Sequence, residues 1–118
     1  MYENRHVVGL MEKSSILDDS GNPIPGLKDI LVRIDSGATI GSIDKEIIKD
    51  LNLPELGKKV IKSSLGTSKR TIVKVYLELA GQKIHGKFTI TDRSHMTYPI
   101  LIGQDILKQN YIIDPQKE

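Results

Sequence analysis

The stretch VRIDSGATIGS, from Val32 to Ser42, decides the fold of this chain. Its first residues close the apolar run Ile30–Ile34, and a compact apolar run of this length predicts a buried β-strand. The triplet Asp35-Ser36-Gly37 follows at once, and a glycine without a Cβ lets another backbone approach the turn closely. The sequence therefore predicts a carboxylate held in fixed geometry at the end of a core strand. The alternative is a helix-capping turn, because Asp, Ser and Gly are also common there.

A second Asp-Ser-Gly triplet lies upstream, at Asp19-Ser20-Gly21, and Asn22 and Pro23 follow it. Asp and Ser start turns, Gly adopts positive φ angles, and the fixed φ of Pro sets the exit of the turn. No apolar run flanks this triplet closely on both sides. We therefore predict a surface loop here and assign the chemistry to the later triplet.

Composition indicates one small domain spanning residues 1–118 with an aliphatic core. The chain has only five aromatic residues, so its core must be mostly Ile, Leu and Val, which favours sheet. It has no cysteine, which excludes disulfides and thiolate metal sites. No apolar run is long enough to cross a bilayer, and the N-terminus is too polar for a secretory signal, so we expect a cytoplasmic protein without a membrane partner. The net charge of +2 is too small to indicate a nucleic-acid partner.

Short apolar runs predict a mainly β architecture, either a barrel or a sandwich. The expected strands are residues 6–11, 30–34, 60–61, 71–79, 84–90, 98–103 and 110–114. One helix is expected in the middle, capped by Ser42, with an apolar face of Ile43, Ile47, Ile48 and Leu51. A further helical turn or two is expected at residues 104–110.

Basic residues concentrate between Leu56 and Val75, where no acidic residue occurs. The six are Lys58, Lys59, Lys62, Lys69, Arg70 and Lys74. A solvated hairpin face would explain them. Alternatively, charges of one sign beside a cleft would attract an acidic ligand.

Three features occur in the order used by one class of peptidase. An apolar strand leads into Asp35-Ser36-Gly37-Ala38, a polar hairpin contains Gly66, and Ile100-Leu101-Ile102-Gly103 follows. In this order the chain resembles a retropepsin-like aspartic peptidase. Residues 7–12, 33–38, 96–103 and 111–115 resemble most closely the subfamily labelled "putative ATP-dependent zinc protease", which is associated with RimK-type glutamate ligases. The chain departs from that subfamily in having Ser36 where Thr is usual, in the segment after Ala38, and in an inserted loop at residues 18–25.

This resemblance implies a small closed antiparallel β barrel with one to two short helices. Asp35 would be the catalytic carboxylate, Ser36 would brace the turn across a dimer, and Gly37 would permit close approach. Substrate would bind under a flap whose tip is Ser64, Leu65, Gly66 and Thr67. Ile102 and Gly103 would pack behind the catalytic turn.

Such chemistry needs two carboxylates that share one proton, and this chain is too short to repeat the unit. We therefore expect a symmetric homodimer that brings one Asp-Ser-Gly from each protomer to the two-fold axis. The expected substrate is a peptide or protein, and the basic hairpin together with the ligase association favours acidic or glutamate-rich peptides.

The zinc in the subfamily label has little basis in the residues. The three histidines, His6, His85 and His95, form no H-E-x-x-H pattern, and no phosphate-binding loop or serine-hydrolase elbow occurs. We therefore expect neither metal nor other cofactor. The alternative function is a catalytically silent retropepsin-like module for dimerisation or peptide binding.

Overall fold

Nine strands and two four-residue helices make up residues 4–117, the part of the chain that the computed structural model describes, with Ser63 described by its backbone alone. In chain order they are β1 (His6–Val8), β2 (Met11–Ile16), β3 (Ile30–Ile34), β4 (Gly41–Asp44), α1 (Lys45–Ile48), β5 (Glu55–Ser63), β6 (Gly66–Leu79), β7 (Gln82–Thr91), β8 (Ile100–Ile102), α2 (Gln104–Leu107) and β9 (Tyr111–Ile113). No helix within these residues is long and apolar enough to span a bilayer.

The main sheet closes on itself. Its strands follow the order β2-β3-β8-β4-β7-β6, and a further pairing of β6 with β2 completes the ring. Five ladders of the sheet are antiparallel and two, β3–β8 and β4–β7, are parallel. β1 and β9 form a separate parallel pair. This confirms the mainly β architecture that the sequence predicts and the closed barrel that the resemblance implies.

The barrel is filled by aliphatic side chains and a single phenylalanine. Along β6, Val73, Val75, Leu77 and Leu79 are buried at every second position, as the alternation in the sequence predicts. The largest fully buried side chains are Phe88, Ile16, Ile43, Leu79, Ile102, Ile106, Val8, Val32 and Val75.

The predicted helix beginning at Ser42 is wrong. Residues Gly41–Asp44 form β4, which pairs with β7 on one side and with β8 on the other, and the helix is reduced to Lys45–Ile48. A strand forms here instead of a helix because all four residues are buried between the neighbouring strands β7 and β8. A Cβ at Gly41 would meet the carbonyl oxygen of Leu101 and the Phe88 ring, so only glycine allows this close packing.

The β5–β6 hairpin is longer than the sequence predicts. β5 pairs with β6 from Glu55 to Ser63, and Ser64 and Leu65 alone connect the strands. Most of its residues are polar on both faces, so the hydrophobic alternation that reveals a half-buried strand is missing. Only the second half of β6 lies in the barrel, and β5 with the first half of β6 extends beyond it as an arm.

Candidate active site

Asp35 lies at the end of a barrel strand. β3 runs parallel to β8 with Ile34 opposite Ile102, and the backbone N–H of Asp35 donates to the carbonyl of Ile102 at 2.9 Å. The Asp35 side chain is half-buried, whereas Ser36 and Gly37 are exposed. The first triplet residue is thus anchored to the core, and the next two face solvent.

Backbone groups hold the turn around this carboxylate. The N–H of Gly37 donates to Asp35 Oδ1 at 3.0 Å, and the N–H of Ala38 donates to the Asp35 carbonyl at 3.2 Å. From α2, Gln104 Nε2 donates to the Ser36 carbonyl at 2.8 Å. One carboxylate oxygen is oriented by this turn, and within residues 4–117 the other, Oδ2, accepts no hydrogen bond.

Ile102 and Gly103 lie behind the turn. Ile102 is fully buried, and a Cβ at Gly103 would lie 2.5 Å from the carbonyl carbon of Ile40. Two further backbone bonds tie α2 to the same turn, from Gln104 N to the Ala38 carbonyl at 2.8 Å and from Asp105 N to the Thr39 carbonyl at 3.2 Å. This segment therefore fixes residues 35–41 from the core side.

The residues predicted to form the flap lie at the end of the β5–β6 arm. Ser64, Leu65, Gly66 and Thr67 are all exposed, and the Leu65 side chain is 98% exposed. Gly66 has a φ of 125°, a value that favours glycine.

A groove of about 220 Å³ runs between the hairpin arm and the Asp35 turn. Its lining residues are Ala38, Ile40, Gly41, Ser42, Lys59, Ile61, Arg70, Thr89, Arg93 and Leu101. Ala38 and Ile40 belong to the turn that begins at Asp35. The hairpin, the barrel and the turn therefore meet in one concave surface.

Arg93 was missed by the sequence reasoning. It is buried in the groove, where Nη1 donates to Ser42 Oγ at 3.1 Å and Nε donates to the Tyr98 carbonyl at 2.9 Å. Its backbone N–H donates to Asp44 Oδ1 at 3.1 Å. Burial is the main cause that lowers the pKa of the guanidinium, and the nearby charge of Arg70 lowers it further. The carboxylates of Asp44 and, to a smaller extent, Asp35 act in the opposite direction. The segment TDRSHM contains no apolar pattern, so nothing in the sequence signals that its arginine is buried.

The remaining chemical candidates lie elsewhere. Asp19-Ser20-Gly21 forms a turn in which Asp18 Oδ1 accepts the N–H groups of Ser20 and Asn22. The rings of His6 and His85 lie against tyrosines, and His95 is exposed in a loop. Within the described residues, no group of three or more His, Asp or Glu side chains is placed to hold a metal.

Comparisons with solved structures show which fold this is. A Legionella pneumophila protein of unknown function superposes with a TM-score of 0.60 at 20% identity and covers 94% of both chains. The simian foamy virus (mac) protease gives 0.61 at 18% identity, over 83% of this chain and 91% of that chain. The EIAV protease in complex with an inhibitor gives 0.57 at 17% identity, over 91% and 88%. The fold is that of retroviral proteases.

Sequence comparisons identify the family. Two curated relatives, probable alpha-L-glutamate ligases of Shewanella pealeana and Shewanella halifaxensis, are each 24% identical over 143 residues. The match covers 99% of this chain, which spans only 30% of the length of either relative. The profile described as "Retropepsin-like aspartic endopeptidase RimB" matches residues 44–118. The chain therefore belongs to the RimB-like family of retropepsin-like proteins.

Proposed function

We propose that this protein is an aspartic endopeptidase that hydrolyses peptide bonds as a homodimer, with Asp35-Ser36-Gly37 contributed by each protomer. The observation that carries this proposal is the placement of Asp35. Its carboxylate is oriented by the Gly37 N–H at 3.0 Å, its backbone is tied to the core through Ile102, and its turn borders the groove beneath the hairpin. Family membership supports the same reaction class.

The homodimer follows from the number of carboxylates that the reaction requires. Two carboxyl groups about 3 Å apart share one proton, because two like charges this close cannot both ionise. Asp19 lies exposed in a loop turn that Asp18 Oδ1 holds, and no core strand delivers it, so we do not assign it the second carboxyl group. A two-fold axis beside the exposed Ser36 and Gly37 places Asp35 opposite its own copy.

The catalytic roles divide between the two copies of Asp35. A water molecule binds between the carboxyl groups, the ionised one removes its proton, and the protonated one donates to the substrate carbonyl oxygen. The Ser36 hydroxyl braces the facing turn, and Gly37 allows the two turns to approach. The tip at Ser64–Thr67 closes over the peptide and excludes bulk water.

An acidic or glutamate-rich peptide is the proposed substrate. The hairpin carries Lys58, Lys59, Lys62, Lys69 and Arg70, and a second copy in the dimer doubles this charge. Basic residues around a cleft raise the local concentration of an acidic peptide. The relatives described as glutamate ligases contain a segment similar to this chain, which supports a substrate rich in glutamate. We place this activity in the cytoplasm.

A catalytically silent peptide-binding module is the second candidate. The observation that favours it is the extent of the family match, which begins at Asp44 and leaves out the Asp35 triplet. A silent module would keep the barrel, the hairpin and the groove, and it would bind peptides without cleaving them.

A cleavage assay with Asp35→Asn separates the two candidates. The protein is incubated with a peptide mixture that includes glutamate-rich tails, at several pH values, and products are identified by mass spectrometry. Cleavage by the wild type that disappears in Asp35→Asn supports the peptidase. Binding without cleavage, in a sample that sedimentation shows to be dimeric, supports the silent module. Equal cleavage by both proteins would mean that Asp35 is not the catalyst, and a monomer at micromolar concentration with and without peptide would refute the dimer.

A further inference from the structure

Two basic residues face each other across the hairpin at the groove. Lys59 of β5 is directly opposite Arg70 of β6, and both side chains line the groove. Like charges directly opposite each other in an antiparallel pair destabilise the sheet. Neither side chain forms an ion pair with an acidic residue in the described part of the chain. Among residues 4–117 no ion pair compensates this repulsion.

A third cation lies beneath this pair. Arg93 is 9% exposed, and no carboxylate among residues 4–117 forms an ion pair with its guanidinium. Nη1 and Nε are held by Ser42 Oγ and the Tyr98 carbonyl. Nη2 has no hydrogen-bond partner among the same residues, and the Arg93 side chain lines the groove. The carboxylates of Asp44 and Asp35 offset the burial of this charge only in part, because the pKa of the guanidinium stays lowered, and an incoming carboxylate would relieve more of the cost.

We propose that Arg93, Arg70 and Lys59 form a subsite that binds the carboxylate of an acidic substrate side chain, with Arg93 as the specificity-determining residue. This inference rests on the proposed peptidase function and identifies the groups that select its substrate. Arginine suits the role because its guanidinium is always charged and binds carboxylates in a fixed planar geometry. Ser42 and the Tyr98 carbonyl act as positioning groups that orient the fork before substrate arrives.

The remaining lining of the groove favours glutamate over a shorter acid. Ile40, Ile61 and Leu101 provide apolar surface around the cations, and this surface suits the methylene groups of a longer side chain. The volume of about 220 Å³ is sufficient for one such side chain with several water molecules.

The location of the subsite determines which side chains of the substrate it binds. Its wall includes Ala38 and Ile40, three and five residues after Asp35, so it binds a side chain close to the scissile bond. In a symmetric dimer each protomer contributes one copy, and a peptide crossing the axis meets one on each side. We therefore expect acidic residues to be favoured on both sides of the cleaved bond.

The test compares paired peptides that differ only by Glu or Gln near the cleavage site. Gln matches Glu in size but lacks the charge, so the ratio of kcat/KM for the two peptides reports the subsite. Arg93→Gln should lower this ratio by roughly ten- to a hundredfold, because a charge-assisted hydrogen bond is lost. Arg93→Lys, which keeps the charge without the fork, should restore part of the preference. Folding of both variants is checked by circular dichroism.

Arg70→Gln keeps the test decisive if the Arg93 variants fail to fold. Because Arg70 is partly exposed, this substitution should lower the Glu-to-Gln ratio of kcat/KM by only about two- to fivefold. Lys83→Gln is the control, because it removes a charge of the same sign from an exposed position on β7 that lies outside both the hairpin and the groove lining. An unchanged ratio in Arg70→Gln, or an equal fall in Lys83→Gln, would overturn the subsite.

Binding to Asp35→Asn separates failure of this subsite from failure of the peptidase proposal. Fluorescence anisotropy of labelled Glu and Gln peptides needs no cleavage. Tighter binding of the Glu peptide that is lost when Arg70→Gln is added supports the subsite even if the wild type cleaves nothing. Equal binding of both peptides refutes it, as does a preference for a phosphoserine peptide over the Glu peptide.

Discussion

Replacing Gly103 by alanine tests whether β8 holds the Asp35 turn from behind. The new Cβ would lie 2.5 Å from the Ile40 carbonyl carbon and 2.8 Å from Gly41 N. Both are backbone atoms, so no side chain can rotate away and the turn itself must move. The φ of −100° at Gly103 is available to any residue, so the cost is steric alone. Overpacking of this kind typically costs about 1–3 kcal/mol.

The matched variant is Gly37→Ala, on the opposite side of the same turn. A Cβ there would meet only Asp35 Oδ1, at 3.4 Å, which is an ordinary contact, and Gly37 is exposed. We expect its free energy of unfolding to stay within about 0.5 kcal/mol of the wild type. If Gly37 faces a second copy across the axis, this variant should nevertheless weaken dimerisation and cleavage.

Urea denaturation followed by far-ultraviolet circular dichroism measures both effects at one protein concentration, because dimerisation adds to the apparent stability. The reasoning predicts a lower midpoint with an unchanged slope for Gly103→Ala. Sedimentation then compares the dimer dissociation constants of the wild type and Gly37→Ala. A Gly103→Ala protein as stable as the wild type would refute the close packing of Gly103, directly after β8, against the turn. A Gly37→Ala protein that dimerises and cleaves normally would refute close approach at this residue.

Three other perturbations follow from contacts in the barrel. Burial raises the pKa of Tyr111 to about 12, and its hydroxyl donates to the Leu79 carbonyl at 2.8 Å. Because folding raises this pKa, the stabilisation from the protonated Tyr111 side chain is fully present below about pH 10, the pKa of tyrosine in the unfolded chain, and it is lost as the pH rises toward about 12. By pH 11 the loss is about 1.4 kcal/mol. Tyr111→Phe should be less stable by about 1 kcal/mol at neutral pH and should lack this alkaline decline in urea titrations at pH 9 and pH 11. Phe88→Ala should lower the free energy of unfolding by about 3–5 kcal/mol, because Phe88 is fully buried; a loss below about 1 kcal/mol would contradict its central place in the core. Gln104→Ala removes the 2.8 Å bond to the Ser36 carbonyl and should lower kcat more than it raises KM, with a stability loss of about 0.5–1.5 kcal/mol; an unchanged kcat would show that the turn keeps its geometry without α2.

The elements that local pattern predicts well are the ones buried on a regular period. β3 has the predicted bounds Ile30–Ile34, and β6 shows the predicted alternation. The helix predicted from Ser42 was wrong because the spacing of isoleucines suits a helix and a buried strand alike. The choice was made by β7 and β8, which lie far away in the sequence and enclose β4 from both sides.

The residues of the candidate site also differ in whether a local sequence pattern predicts them. The place of Asp35 at the end of a core strand could be predicted, because the strand, the triplet and the later apolar run each leave a local trace in the sequence. Arg93 could not be predicted, since its burial depends on Ser42 and Tyr98 meeting it through long-range pairing. Likewise, the pairing of Lys59 with Arg70 depends on the hairpin register and on the bulge between Glu55 and Gly57.

The parallel pairing of β3 with β8 connects these two parts of the site. The register Ile34 opposite Ile102 sets where the Asp35 turn begins, and α2 then anchors that turn through Gln104. β8 also pairs with β4, which carries Ser42 and thereby orients Arg93 in the groove. A shift of β8 by one residue would therefore displace the carboxylate and the arginine together. The family profile matches β8 and Arg93 but does not include Asp35-Ser36-Gly37. Because β8 pairs with β3, this short strand connects the part of the chain that the profile covers to Asp35, the proposed catalytic residue.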